Sequence, residues 1–296
     1  MLAGVWILLG PLGTARDTVG GGFIEIDAVV TDRYGHPVHG LGASDFVLKE
    51  DHQVARILTS QEISSNASGS HEPCVLAVVL DDVAVVPSAS DLMQRLAWAF
   101  LARATDADRI AVVRFSHDRG ELLFGRLSDA LLAIRNYTAR GDVQFDEPTL
   151  SGWLDLLADV ATQLGESEGR RNTIVAIGSP SLLDPSESWY RAIGRSASRW
   201  AHVVARLAQA NAAFYIVDPS GLNSYRAAAD AGIASVSGGR RFGTLDFNRV
   251  RDAIWQDMAN YYVLSYIPLT SRSTHDVDVA ARQRGVSVLA RHRRGE

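Results

Sequence analysis

The chain has 296 residues, 47% of them hydrophobic and 21% charged, with a formal net charge of -5. That length suits one large or two modest globular domains, and the acidic balance excludes the basic footprint of a nucleic-acid binder. The lone cysteine, Cys74, excludes an internal disulfide or a cysteine-rich zinc site, and Lys49 is the only lysine among the basic residues.

Residues 1–19 open with an apolar run, Leu2–Leu12, followed by the small residues Gly13-Thr14-Ala15. The run has the length of a signal-peptide core and is too short to cross a bilayer. It predicts a signal peptide and export to the periplasm or beyond, with no stable membrane span elsewhere. Residues 20–63 follow a glycine hinge with short alternating segments: Phe23–Thr31, Asp45–Glu50 and Val54–Ser60, with a turn at Asp51-His52. Alternation over such lengths predicts half-buried strands in a small antiparallel unit. Ser64–Ser70 reads as a polar linker.

From residue 72 the rhythm changes. Val75–Leu80, Arg109–Phe115, Thr173–Ile177 and Ala212–Val217 are nearly continuous apolar runs, as strands covered on both faces must be. Helical spacing lies between them, at 88–104, 129–137, 149–164 and 186–210, with further helices near 225–234 and 246–258 and a short strand at 240–242. Buried strands alternating with helices predict an α/β domain over 72–262 built on a doubly wound, mostly parallel sheet. Residues 263–296 return to alternation and are expected to pack with the N-terminal unit. Arg282, Arg284, Arg291, Arg293 and Arg294 read there as a solvated edge.

Several phrases occur in an order that resembles bacterial proteins with a von Willebrand factor type A-related domain. They are Val29-Val30-Thr31-Asp32 leading to Gly40-Leu41 and Asp45-Phe46; Asp108–Val113; Ala212–Leu222, ending Asp-Pro-Ser-Gly-Leu; Ser237–Phe242; and Tyr261–Tyr266. The resemblance runs from about Phe23 to the C-terminus. It implies a von Willebrand factor A/Rossmann-like fold and a protein-binding role.

The resemblance also implies where a metal would sit. In metal-binding members an Asp-x-Ser-x-Ser phrase after the first strand, a loop threonine and an aspartate after the fourth strand hold a divalent ion such as Mg²⁺ through hard oxygen ligands. Here the first strand ends Asp81-Asp82-Val83-Ala84-Val85, so neither register supplies a hydroxyl. Thr149 matches the loop threonine. The fourth strand ends Ile177-Gly178-Ser179, and the next aspartate is Asp184. Asp81, Asp82 and Thr149 are thus the only candidate ligands, and a degenerate site without cofactor is the expectation.

No nucleophile elbow, phosphate loop or dinucleotide glycine pattern is present, and the lysine that acid-pair phosphoryl-transfer folds require is missing. A non-catalytic module binding an unknown protein partner is therefore expected. The alternatives are a metal-dependent adhesin-like binder at Asp81, Asp82 and Thr149, and a hydrolase with an unrecognised site. Open α/β sheets bind at the carboxyl ends of their strands. The candidate binding face gathers Asp81, Asp82, Arg140, Asp142, Thr149, Ser179 and Trp189.

Overall fold

A computed structural model describes residues 22–64, 73–116, 123–141, 147–166, 171–179, 183–184, 197–219, 232–243, 246–270 and 275–294. The expected signal peptide, most of the 64–70 linker, most of the helix expected near 225–234, Asp142 and Trp189 lie outside the described residues. Among the described residues, the strands form two sheets of seven and five.

The five-stranded sheet is parallel. It orders β5 (Arg109–Arg114), β4 (Val75–Leu80), β6 (Asn172–Ile177), β7 (Ala212–Asp218) and β8 (Arg241–Gly243) from edge to edge. Every residue of β4, β6 and β7 is buried, which accounts for their unbroken apolar sequence. Alternate side chains feed two cores. Ala77, Ile174, Phe214 and Ile216 pack with Trp153, Leu157 and Trp200 from α3 (Glu147–Gly165) and α4 (Ala197–Gln209). Leu76, Val78, Val175 and Tyr215 pack with Met93, Ile134 and Trp255 from α1 (Ser90–Leu101), α2 (Leu127–Arg135) and α6 (Phe247–Ala259). The short α5 (Ile233–Val236) precedes β8.

The seven-stranded sheet is antiparallel and uses both ends of the chain. Its order is β11 (Val286–Ala290), β1 (Ile24–Asp32), β9 (Tyr261–Ile267), β3 (Gln53–Ile63), β2 (Phe46–Glu50), β10 (His275–Ala281) and β12 (Arg293–Arg294). The first and last strands of that order are consecutive stretches of chain. β11 pairs with β1, bends at Arg291-His292 and continues as β12 against β10. The sheet is therefore nearly closed, like a barrel, around Ile26, Ala28, Leu48, Leu264, Tyr266 and Val277. The two-residue hairpin at Asp51-His52 has positive φ at both positions (48° and 67°), the twist that suits adjacent antiparallel strands.

This corrects the sequence expectation of a doubly wound von Willebrand factor A/Rossmann-like fold carrying a small β unit. The antiparallel sheet has more strands than the parallel one, has its own core and nearly closes on itself. Its pairings span the length of the chain, and short half-polar strands give no local sign of them. In the arginine-rich end, Arg282 and Arg284 are exposed as expected, but Arg291 differs. Arg291 is buried and donates to the Ala208 carbonyl at the last turn of α4 and to the Glu25 carbonyl, so it docks the barrel on the α/β unit.

Candidate functional site

The carboxyl edge of the parallel sheet is organised by two adjacent, fully buried aspartates. Asp81 continues the ladder beyond β4, donating its N–H to the Ile177 carbonyl at 3.0 Å. One side-chain oxygen, Oδ1, accepts the N–H groups of Val83 (3.1 Å) and Ala84 (2.8 Å), which turns the chain sharply after the strand. The other, Oδ2, accepts the N–H of Ser179 at 3.0 Å, tying the β4 loop to the β6 loop. Gly178 is required beside it, because a Cβ there would stand 2.2 Å from the Cβ of Asp81. Burial raises the Asp81 carboxyl above the usual carboxylate range; the three N–H donors oppose the rise and the Asp82 charge adds to it.

Asp82 reaches the other way. Its Oδ1 accepts the Ser116 N–H at 2.9 Å and its Oδ2 the Ser116 hydroxyl, just past β5. Its carbonyl accepts the Arg140 N–H at 2.7 Å. Buried Tyr137 donates its hydroxyl to the Asp81 carbonyl at 2.7 Å, and burial beside Asp81 and Asp82 pushes that phenol upward. Gly141 (φ 66°) packs so closely that a Cβ would lie 2.7 Å from Pro87. Three strands and the loop after α2 are thus locked together through the two carboxylates.

The residues here do not fit the oxygen cage of a divalent-ion site. Val83 and Val85 occupy the expected hydroxyl positions and are buried; Val85 belongs to the core under α1. Each oxygen of Asp81 and Asp82 already accepts at least one hydrogen bond from the loops. Asp184 is also engaged: it accepts the Ala234 N–H at 2.9 Å and pairs with Arg241 at 2.6 Å. Among the described residues no three His, Cys, Asp or Glu side chains converge as a metal set.

Of the expected face, Asp81, Asp82, Arg140 and Ser179 are brought together by these hydrogen bonds. Thr149 stands half-buried in the first turn of α3. Sequence reasoning missed Ser116 and Tyr137; a serine closing the second buried strand was the available signal for the first, and nothing local marks the second. It also missed a polar cluster at the opposite edge of the sheet. There Asp27 of β1 accepts from Asn211 at 2.9 Å, while buried Arg171 donates to the Gly238 carbonyl at 2.9 Å and to the Tyr215 hydroxyl at 3.4 Å. Asp27, Arg171, Asn211, Ser237 and Arg291 line a small cavity between barrel and α/β unit. Nearby, fully buried Asp257 pairs with Arg240 at 2.6 Å. Burial raises the carboxyls of both Asp27 and Asp257.

The likenesses of this chain to known proteins lie among solved structures. No family model matches it, and no curated protein does. Among solved structures it is similar to the conserved hypothetical protein BatB from Bacteroides thetaiotaomicron, with 13% identity over 62% of this chain and 97% of that one and a TM-score of 0.36. No helix of the described residues is long and apolar enough to cross a membrane.

Proposed function

We propose that this chain is an exported, non-catalytic protein-interaction module that works without a metal ion. It presents to its partner the loops at the carboxyl edge of the parallel sheet, around Val86, Arg140 and Ser179. One observation carries this reading: the carboxylates that could recruit a cation accept hydrogen bonds from Val83, Ala84, Ser116 and Ser179, and so hold those loops in one conformation. A face fixed before binding loses less entropy when a partner docks. Val86, exposed at 56%, gives that face an apolar point beside the exposed Arg140.

Thermal melting with chelator and then with millimolar Mg²⁺, Ca²⁺ or Mn²⁺ tests the metal-independent reading. A ligand confined to the folded state stabilises it by about 2.7 kcal/mol at a hundredfold excess over Kd. The expected result is one melting temperature in all four conditions. A rise of several degrees with any ion, abolished in Asp81→Ala, would overturn the proposal.

A further inference from the structure

Polar groups from distant stretches of the chain meet where the barrel rests on the amino edge of the parallel sheet. Asp27 comes from β1, Arg171 stands just before β6, Asn211 just before β7, and Arg291 at the bend after β11. Together with Ser237 they line one cavity. Asp27 (9% exposed), Arg171 (7%) and Arg291 (9%) are all buried. Charges taken out of water are costly unless they are paired or hydrogen-bonded.

Yet these charges do not touch. Both arginines act on the Asp27 carboxyl and oppose the rise that burial causes, but each guanidinium makes its hydrogen bonds elsewhere. Arg171 donates to the Gly238 carbonyl and the Tyr215 hydroxyl, and Arg291 to the carbonyls of Ala208 and Glu25. Asp27 Oδ2 accepts from Asn211, and a carboxylate has about four acceptor sites. Arg171 Nε is buried and has no hydrogen-bond partner. Polar groups that attract one another beyond hydrogen-bond reach call for a molecule between them. The cavity limits what that molecule is. It leaves about 10 Å³ for the centre of a water-sized sphere, and about 10–15 Å³ on that measure holds one water. A phosphate or a sulfate is too large. A cation would face two guanidinium groups, and a halide would face the acceptor oxygens of Asp27. Water is neutral, donates and accepts.

We infer that the joint between barrel and α/β unit is a binding site for one structural water, which accepts the Nε–H of Arg171 and donates to the carboxyl of Asp27. Buried waters make about three hydrogen bonds. Ser237 supplies the third: its Oγ donates to the Ala234 carbonyl and accepts the Phe214 N–H, which leaves one acceptor lone pair. The water satisfies a buried donor and links a cation of the α/β unit to a carboxyl of the barrel. The site lies at the edge of the parallel sheet opposite the loop face and does not depend on it.

A high-resolution crystal structure of the full chain, with the crystals transferred to sodium bromide, tests this. One spherical density peak is expected in the cavity, about 2.7–3.2 Å from Arg171 Nε and from a carboxyl oxygen of Asp27, with no anomalous signal at the bromine edge. A peak with a bromine signal overturns the inference in favour of a halide site. A cavity without density overturns it outright. Arg171→Met keeps apolar volume and removes the Nε donor, and the peak is expected to be lost there. A peak that persists at the same position in Arg171→Met overturns the bridge, since other groups would then hold the water.

Discussion

The two edges of the parallel sheet handle buried charge in opposite ways. At the carboxyl edge Asp81 and Asp82 each accept hydrogen bonds from loops within the same α/β unit. At the amino edge Asp27 and Arg171 face one another from different units across a cavity, and Arg171 Nε, Asn172 Oδ1 and Thr173 Oγ1 have no hydrogen-bond partner. Short-range satisfaction makes a rigid surface. Long-range, incomplete satisfaction makes a joint whose strength depends on both units being present. The carboxyl edge is built to hold one shape and the amino edge to hold two bodies together.

The largest effect is expected of Asp81→Ala. It strips one buried and two part-buried N–H groups of their acceptor, and a loss of about 3 kcal/mol is expected, read by chemical denaturation. A loss under about 1 kcal/mol would mean that water replaces the carboxylate and that the edge is not locked. Next comes Arg171→Met, which keeps apolar volume but removes the cation facing Asp27. About 2 kcal/mol is expected to be lost. Hydrogen exchange should rise first in β1 and β11, on the barrel side, while β4 and β5 keep their protection. Uniform loss of protection would show that the two units do not separate at this joint.

The smallest effect is a pH dependence. The Asp27 carboxyl is raised by burial above its ordinary 3.8, so the folded state holds that proton more tightly than the unfolded chain. Stability from this group is therefore greatest at acid pH and falls as pH climbs from 3.8 through the raised value. Asp27→Asn keeps an acceptor for Asn211 and cannot ionise, so its melting temperature should fall less than the wild type's over that window. Equal slopes would place the titration elsewhere, at Asp81 or Asp257.

Much of the parallel sheet was legible because burial on both faces leaves a strong local trace. Val75–Leu80, the strand from Arg109 and Ala212–Val217 were read nearly to their ends. The turn at Asp51-His52 was legible for a similarly local reason. Closure of the barrel was not, since the pairing of Ala28 with Ala290 leaves no trace in either segment's own sequence. At the candidate face, the acid pair and the missing hydroxyls at Val83 and Val85 could be seen directly, but the partners of the acids could not. The donors to Asp81 are backbone groups, and no side-chain pattern announces a backbone N–H. The Arg171 cluster was hidden for a different reason: arginine in a turn is ordinarily solvated, and only the barrel resting on the sheet's amino edge buries it.

The bend that turns β11 into β12 has a consequence in time. β1 precedes every other described strand in the chain, yet one neighbour is β9, whose Ser265 lies 240 residues beyond Glu25, and the other is β11. Both are made only after every strand of the parallel sheet. The parallel sheet can assemble from neighbouring segments while β1–β3 wait, with apolar faces and unpaired edges that invite wrong partners. Late completion of the barrel is thus written into the topology, and the β11–β12 segment acts as the clasp that ends that exposure.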